Sequence, residues 1–167
     1  QGLNTKVAQV VAHELGLPLS AVRCTATDTH KIANTSATAA STGSDLNGKA
    51  AQDAARQIRE RLERFKAEFP QHAALPWAQL VQQAYIARVQ LWSDGFYATP
   101  GLHWDREKLQ GKPFFYFAYG AALSEVVVDT LTGEWRLLRA DALHDVGASL
   151  NPAVDIGQIE GGFVQGM

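Results

Sequence analysis

The sequence predicts an α+β fold in which helices pack on an antiparallel hairpin. Three observations predict it. Apolar residues recur at helical spacing through the first half of the chain; residues 114–129 and 134–143 are two apolar, β-prone runs joined by Thr130-Leu131-Thr132-Gly133; and a last apolar-periodic stretch follows Asn151-Pro152. With 167 residues, against a working size of roughly 150 per domain, one domain over residues 1–167 is expected. Apolar residues make up 46% and charged residues 19%, a globular rather than a disordered composition.

Leu3, Val7, Val10, Val11 and Leu15 share one helical face, and Gly16 followed by Leu17-Pro18 supplies the stop. Val22 to Thr27 is β-branched enough to predict a short strand, with Cys24 on it as a small buried hydrophobe rather than a reactive thiol. From Ala33 to Ser44 the sequence is ANTSATAASTGS, without a charge or a bulky side chain. It runs into a second helix in which Leu46, Ala50, Ala51, Ala54, Ala55, Ile58, Leu62 and Phe65 fall on one half of the circumference. Ser44 or Asp45 is expected to cap that helix, Glu60 to pair with Arg64, and Phe69-Pro70 to end it after about 20 residues, or roughly 30 Å.

Pro76 to about Val89 predicts a third helix with Trp77, Leu80, Val81, Ala84 and Tyr85 on one side. Val89 to Thr99 is aromatic and reads as extended. Phe114 to Asp129 and Glu134 to Leu143 form the long hairpin, and the first strand is apolar on both faces for most of its length, so cover is expected on both sides, by the helices on one and by more protein on the other. Asn151-Pro152 caps a final helix in which Gly157, Gly161, Gly162 and Gly166 leave room for a backbone or a ligand.

Fifteen Lys plus Arg stand against 17 Asp plus Glu, a net charge of −2, so there is no electrostatic footprint for nucleic acid. A single cysteine excludes an internal disulfide and, by itself, a thiolate metal site, which fits a reducing compartment and makes the cytoplasm the expected location. No apolar run approaches the roughly 18 to 20 residues of a membrane span, and the opening lacks a secretion-signal pattern. The last periodic stretch reaches Met167 without a stop, so a fragment of a longer polypeptide is expected.

The small-residue loop meets a helix start, where N–H groups and the helix dipole favour an anion and tiny side chains let a ligand reach the backbone; a solvated Ser/Thr linker is the alternative on composition. Neither GxxxxGK[ST] nor GxGxxG occurs, which removes nucleotide triphosphate and Rossmann readings. His13, His30, His72, His103 and His144 lack zinc-hydrolase spacing, and Ser124 and Ser149 lack a nucleophile elbow. Asp155 and Glu160 could serve as acid or base or simply answer the helix dipole, whereas Gln158 offers a double-ended amide that adds no charge.

Three stretches carry a resemblance: Gln1-Gly2-Leu3-Asn4-Thr5-Lys6, NTSATAASTGSDLNG at 34–48, and DVGASLNPAVDIGQIEGGFVQGM at 145–167. Together they resemble the molybdenum hydroxylases, and among them the molybdenum-cofactor-binding subunit of the xanthine dehydrogenase family. GFYATPGLHWD and FFYFAYGAALSEVVVDTLTGEWRLLRAD are similar to the same family in the same order, so the resemblance spans essentially the whole chain.

The resemblance implies part of a larger α+β molybdopterin-binding domain that holds molybdenum through a pyranopterin. It implies hydroxylation of hypoxanthine and xanthine to urate, with electrons leaving through 2Fe-2S clusters and FAD, on other domains or subunits, to NAD. By the same resemblance Gln1, Ala39, Ala40, Ser41, Thr42, Gly43, Ser44 and Gln158 contact the cofactor, and Ala39 and Ala40 are also the small pair beside metal and substrate. The family's catalytic glutamate falls beyond Met167 and its purine-orienting residues before Gln1, so no catalytic residue and no protein ligand to the metal is expected in this chain. Ala37 stands where some members have proline, which is expected to loosen the loop slightly. The implied partners are the rest of the molybdenum subunit, the iron–sulfur/FAD part and a purine substrate, in an oligomeric parent. An aldehyde-oxidising or other ring-hydroxylating relative, and a non-catalytic structural fragment, stand as alternatives.

Overall fold

The structure, a computed structural model, describes residues 2–31, 38–39 and 41–167. Along the chain come α1 (Leu3–Leu15), a 3-10 turn (Leu19–Ala21), α2 (Gly43–Glu68), a 3-10 turn (Pro70–His72) and α3 (Trp77–Ile86). Then follow β1 (His103–Asp105), β2 (Gln110–Lys112), β3 (Gly120–Val128), β4 (Trp135–His144) and α4 (Pro152–Gly166), an α+β arrangement as predicted. These elements fall into two compact units, a helical unit over Gly2–Thr99 and a hairpin unit over Pro100–Met167.

In the helical unit α1 ends as its glycine foretells. Gly16 is left-handed, its N–H donates to the His13 carbonyl at 3.2 Å, and Leu17 N–H donates to Ala12 at 2.8 Å, which together satisfy the last carbonyls of the helix. The valines of the predicted stripe are half-buried, and the deepest positions are the smaller Ala8 and Ala12 with Glu14. Small residues let α1 approach α2 closely. Glu14 is tolerated there because Arg59 meets one carboxylate oxygen at 2.8 Å, Gln52 donates to the other at 3.1 Å, and Arg59 also donates to the Glu14 carbonyl at 3.2 Å.

Helix α2 is 26 residues, about 39 Å at 1.5 Å per residue, and begins at Gly43, earlier than predicted. Thr42 is its N-cap, so neither Ser44 nor Asp45 caps it; both lie inside the first turn. Glu60 pairs with Arg56 at 4.0 Å rather than with Arg64. The core of the unit is Leu62 and Phe65 of α2 with Leu80 and Ala84 of α3, flanked by Ile58, Phe69, Leu75, Val89 and Leu91.

Helix α3 stops three residues short of the predicted Val89. Arg88 adopts φ 61°, its N–H donates to the Tyr85 carbonyl and that of Val89 to Ala84, each at 2.9 Å. This is the same closure that Gly16 makes in α1, built here with an arginine, and it turns Val89 back into the core. Residues 90–96 then lie along α2 without forming a strand. Arg61 donates to the carbonyls of Gln90 and Trp92, Gln57 to that of Asp94, and the Ser93 hydroxyl to Gln57. Gly95 presses on the α2 backbone so closely that a Cβ would lie 1.8 Å from the Ala50 carbonyl oxygen.

The strand expected over Val22–Thr27 does not form, because a strand exists through its ladder and this segment pairs with none among the described residues. Cys24, expected to be buried, is exposed, and its thiol donates to the Asn4 carbonyl at 3.3 Å.

In the hairpin unit β3 and β4 pair antiparallel from Gly120↔His144 to Val128↔Trp135, with Leu138 as the extra residue of a bulge opposite Glu125 and Val126. The turn is held by Asp129, whose carboxylate accepts from the N–H groups of Leu131 and Thr132, and by Gly133 at φ 77°. The ladder begins at Gly120 rather than Phe114, and a second small hairpin, β1 with β2, precedes it. The hairpin unit by itself does not supply the cover expected on β3: all nine residues are exposed, and no residue from Pro100 to Met167 is buried. Two hairpins and one helix have too few layers to enclose a core. Helix α4 starts as predicted, with the Asn151 side chain accepting from Val154 N–H at 3.3 Å and Pro152 in the first turn.

Candidate cofactor site

The starts of α1 and α2 come together. A Cβ built on Gly43 would lie 3.0 and 3.3 Å from the two Leu3 methyls and 3.6 Å from the Thr38 methyl, so Gly2-Leu3, Thr38-Ala39 and Ser41–Ser44 share one end of the helical unit. Neither N-cap, Gly2 nor Thr42, makes a side-chain capping bond, and both helices direct the positive ends of their dipoles to this end. Ala39, Ser41 and Thr42 are exposed; Gly43 and Ser44 are half-buried. The accessible chemistry is a set of uncharged hydroxyls beside backbone donors.

Gln158 belongs to the other unit. On α4 it lines an open groove of about 450 Å³ whose opposite wall is formed by Gly120, Ala121, Ala122 and Leu143. A larger groove of about 710 Å³ adjoins it, sharing His144, Ile159 and Phe163 and adding Asp155 and Glu160. Gly162 lines the smaller groove, and a Cβ there would meet nothing within 4 Å, as at Gly157 and Gly161 elsewhere on the helix. Asp155 is hydrogen-bonded with the Ser149 hydroxyl and sits in the first turn of α4, as the dipole favours.

Of the predicted site residues, Ala39, Ser41, Thr42, Gly43 and Ser44 are thus brought together at one helix start, and Gln158 stands on α4. Gln1 and Ala40 lie outside the described residues, as do Ala37 and the loop from Ile32. The histidines stay apart in their roles: His72 stacks on Phe65 at 5.6 Å, His30 N–H bonds Asp28, and His13 lies in the last turn of α1. Among the described residues no three His, Cys, Asp or Glu side chains converge as metal ligands. Asp53 is held below its ordinary pKa by the Arg56 guanidinium and the Phe96 N–H, and Asp129 by the Leu131 and Thr132 N–H groups. The contact missed by sequence reasoning is Leu3 on Gly43; its only trace in the sequence is a glycine at the first position of a long helix.

The chemistry at the starts of α1 and α2 fits a polyoxygen anion such as a phosphate or an oxo group: hydroxyls and open helix starts donate directionally there. The model of the molybdopterin cofactor-binding domain family matches residues 1–167. The chain belongs to that family. Among its relatives, the "Xanthine dehydrogenase/oxidase" of Mus musculus is 49% identical over 167 residues. The "Xanthine dehydrogenase" of Dictyostelium discoideum is 49% identical over 170 residues, and that of Oryza sativa subsp. japonica 48% over 167. Each match takes in 100% of this chain and 12% of the relative, so the chain spans only a small part of the length of those proteins. No helix among the described residues is long and apolar enough to cross a membrane.

Proposed function

We propose that this chain is a segment of the molybdenum subunit of a xanthine dehydrogenase, and that it supplies contacts to the molybdenum cofactor. The observation that carries the reading is the joined start of α1 and α2, which gathers Ser41–Ser44 and the residues next to Gln1 in a family whose model spans the chain. When bound, the molybdenum–molybdopterin group supplies the redox chemistry of ring hydroxylation. The chain's residues hold it. Ser41, Thr42 and Ser44 donate hydroxyl and backbone hydrogens to its oxygens, Gln1 and Gln158 add amide contacts, and Ala39 and Ala40 are small enough to leave a purine room beside the metal.

In this reading the parent enzyme oxidises hypoxanthine and xanthine to urate in the cytoplasm, and passes electrons through 2Fe-2S clusters and FAD, on other domains or subunits, to NAD. The one domain is shared by residues 1–167 and the polypeptide around them. The proposal is tested on the full-length parent with xanthine and an aromatic aldehyde: NAD-linked urate formation is expected, and turnover of the aldehyde alone would end the purine assignment. Gln158→Ala in the parent is expected to lower molybdenum occupancy about fivefold, the equivalent of one net hydrogen bond; occupancy equal to wild type removes that contact.

A second reading concerns the 167-residue chain by itself, and the exposed hairpin unit favours it: this chain folds its helical unit but retains no cofactor. Metal analysis and released-pterin fluorescence of the purified chain decide, and stoichiometric molybdenum contradicts it.

A further inference from the structure

We propose that Leu3 is a positioning residue for the cofactor loop, acting through the space left by Gly43; the proposal rests on the cofactor-site reading above. Gly43 is not among the glycines of positive φ, so its backbone would accept a side chain, and alanine would be the better helix former. A Cβ there would crowd Leu3, whose methyls come within 3.0 and 3.3 Å of that position, so one of the two would have to give by a few tenths of an ångström; the Thr38 methyl, at 3.6 Å, is in ordinary contact. Leu3 follows Gln1-Gly2, and Gly43 lies between Thr42 and Ser44. The leucine is therefore a spacer that fixes how far one proposed cofactor-contacting segment stands from the other. Directional hydrogen bonds to one rigid ligand tolerate displacements of only about 0.5 Å, so the size of this spacer matters more for holding the ligand than for holding the fold.

The test is a size swap in the full-length enzyme, read as molybdenum and pterin per polypeptide and as thermal midpoint. Gly43→Ala is expected to lower both contents about fivefold, the loss of about one hydrogen bond, while the midpoint moves by no more than about 2 °C. Adding Leu3→Ala, which clears the space for the new methyl, is expected to restore most of the content. Loss that the double variant does not restore overturns the spacer role, as does a Gly43→Ala enzyme with full cofactor. A Ser41→Ala/Ser44→Ala enzyme separates the two readings. If it loses cofactor while Gly43→Ala does not, only the spacer is wrong; if neither loses cofactor, the site itself is wrong and the spacer with it.

Discussion

The two units of this chain have similar apolar content in their elements and opposite fates for it. In the helical unit Leu62, Phe65, Leu80 and Ala84 close a core, and a buried Glu14 is fully engaged by Arg59 and Gln52. In the hairpin unit Leu123 is 61% exposed, and Val126, Val127 and Val128 beside it are about as open. The difference is one of layers. Three helices can enclose a line of side chains, whereas two two-stranded hairpins with one helix have faces to bury and too few layers within their own unit to bury them. The helical unit encloses a core; the residues of the hairpin unit stay exposed or half-buried.

That contrast can be broken or sharpened at single residues. The largest effect is expected from Gly95→Ala, whose methyl would enter the α2 backbone at Ala50; a loss of about 3 kcal/mol or more should appear as loss of cooperative helical unfolding by circular dichroism. Leu62→Ala should cost about 3 kcal/mol in denaturant unfolding, and the matching deletion Leu123→Ala no more than about 0.5 kcal/mol. Equal costs would abolish the distinction between the units. Arg88→Gly should stabilise by about 0.5 to 1 kcal/mol, since glycine adopts φ 61° without strain and keeps both closing hydrogen bonds. The smallest effect concerns Asp53 of α2, whose carboxylate accepts from Arg56 on the same helix and from the Phe96 N–H of the segment that lies along it. Its folded pKa lies below the ordinary 3.8, so its contribution is present above that value and is lost as pH falls through the folded one. The stability gap between wild type and Asp53→Asn should be flat above about pH 5 and shrink toward zero in stronger acid; a gap that grows on acidification contradicts the sign.

Local rules account for what could be read in advance. The bounds of α1, its glycine stop, the Asn151-Pro152 start of α4 and the turn at Asp129 to Gly133 are decided by residues within a few positions of one another, and each appears in the structure. The helix after the small-residue loop was equally plain, although its start moved to Gly43, because Ser44 and Asp45 are good caps only if the chain leaves the helix there. The Val22–Thr27 strand failed for the converse reason: β propensity names a segment that could pair, and pairing needs a neighbour.

From the candidate site, sequence alone carried the residue types: small and uncharged at 39–44, an amide at 158, and the family that uses both. Composition could not tell a loop that binds from a linker that is merely solvated. Tertiary structure decided that α1 and α2 begin side by side, that a leucine occupies the volume a glycine vacates, and that Arg59 reaches across to neutralise Glu14. The division has a physical cause. Helical periodicity and capping are short-range energies written in adjacent side chains, while the approach of two helix starts depends on packing between residues some forty positions apart, and no local pattern encodes that distance.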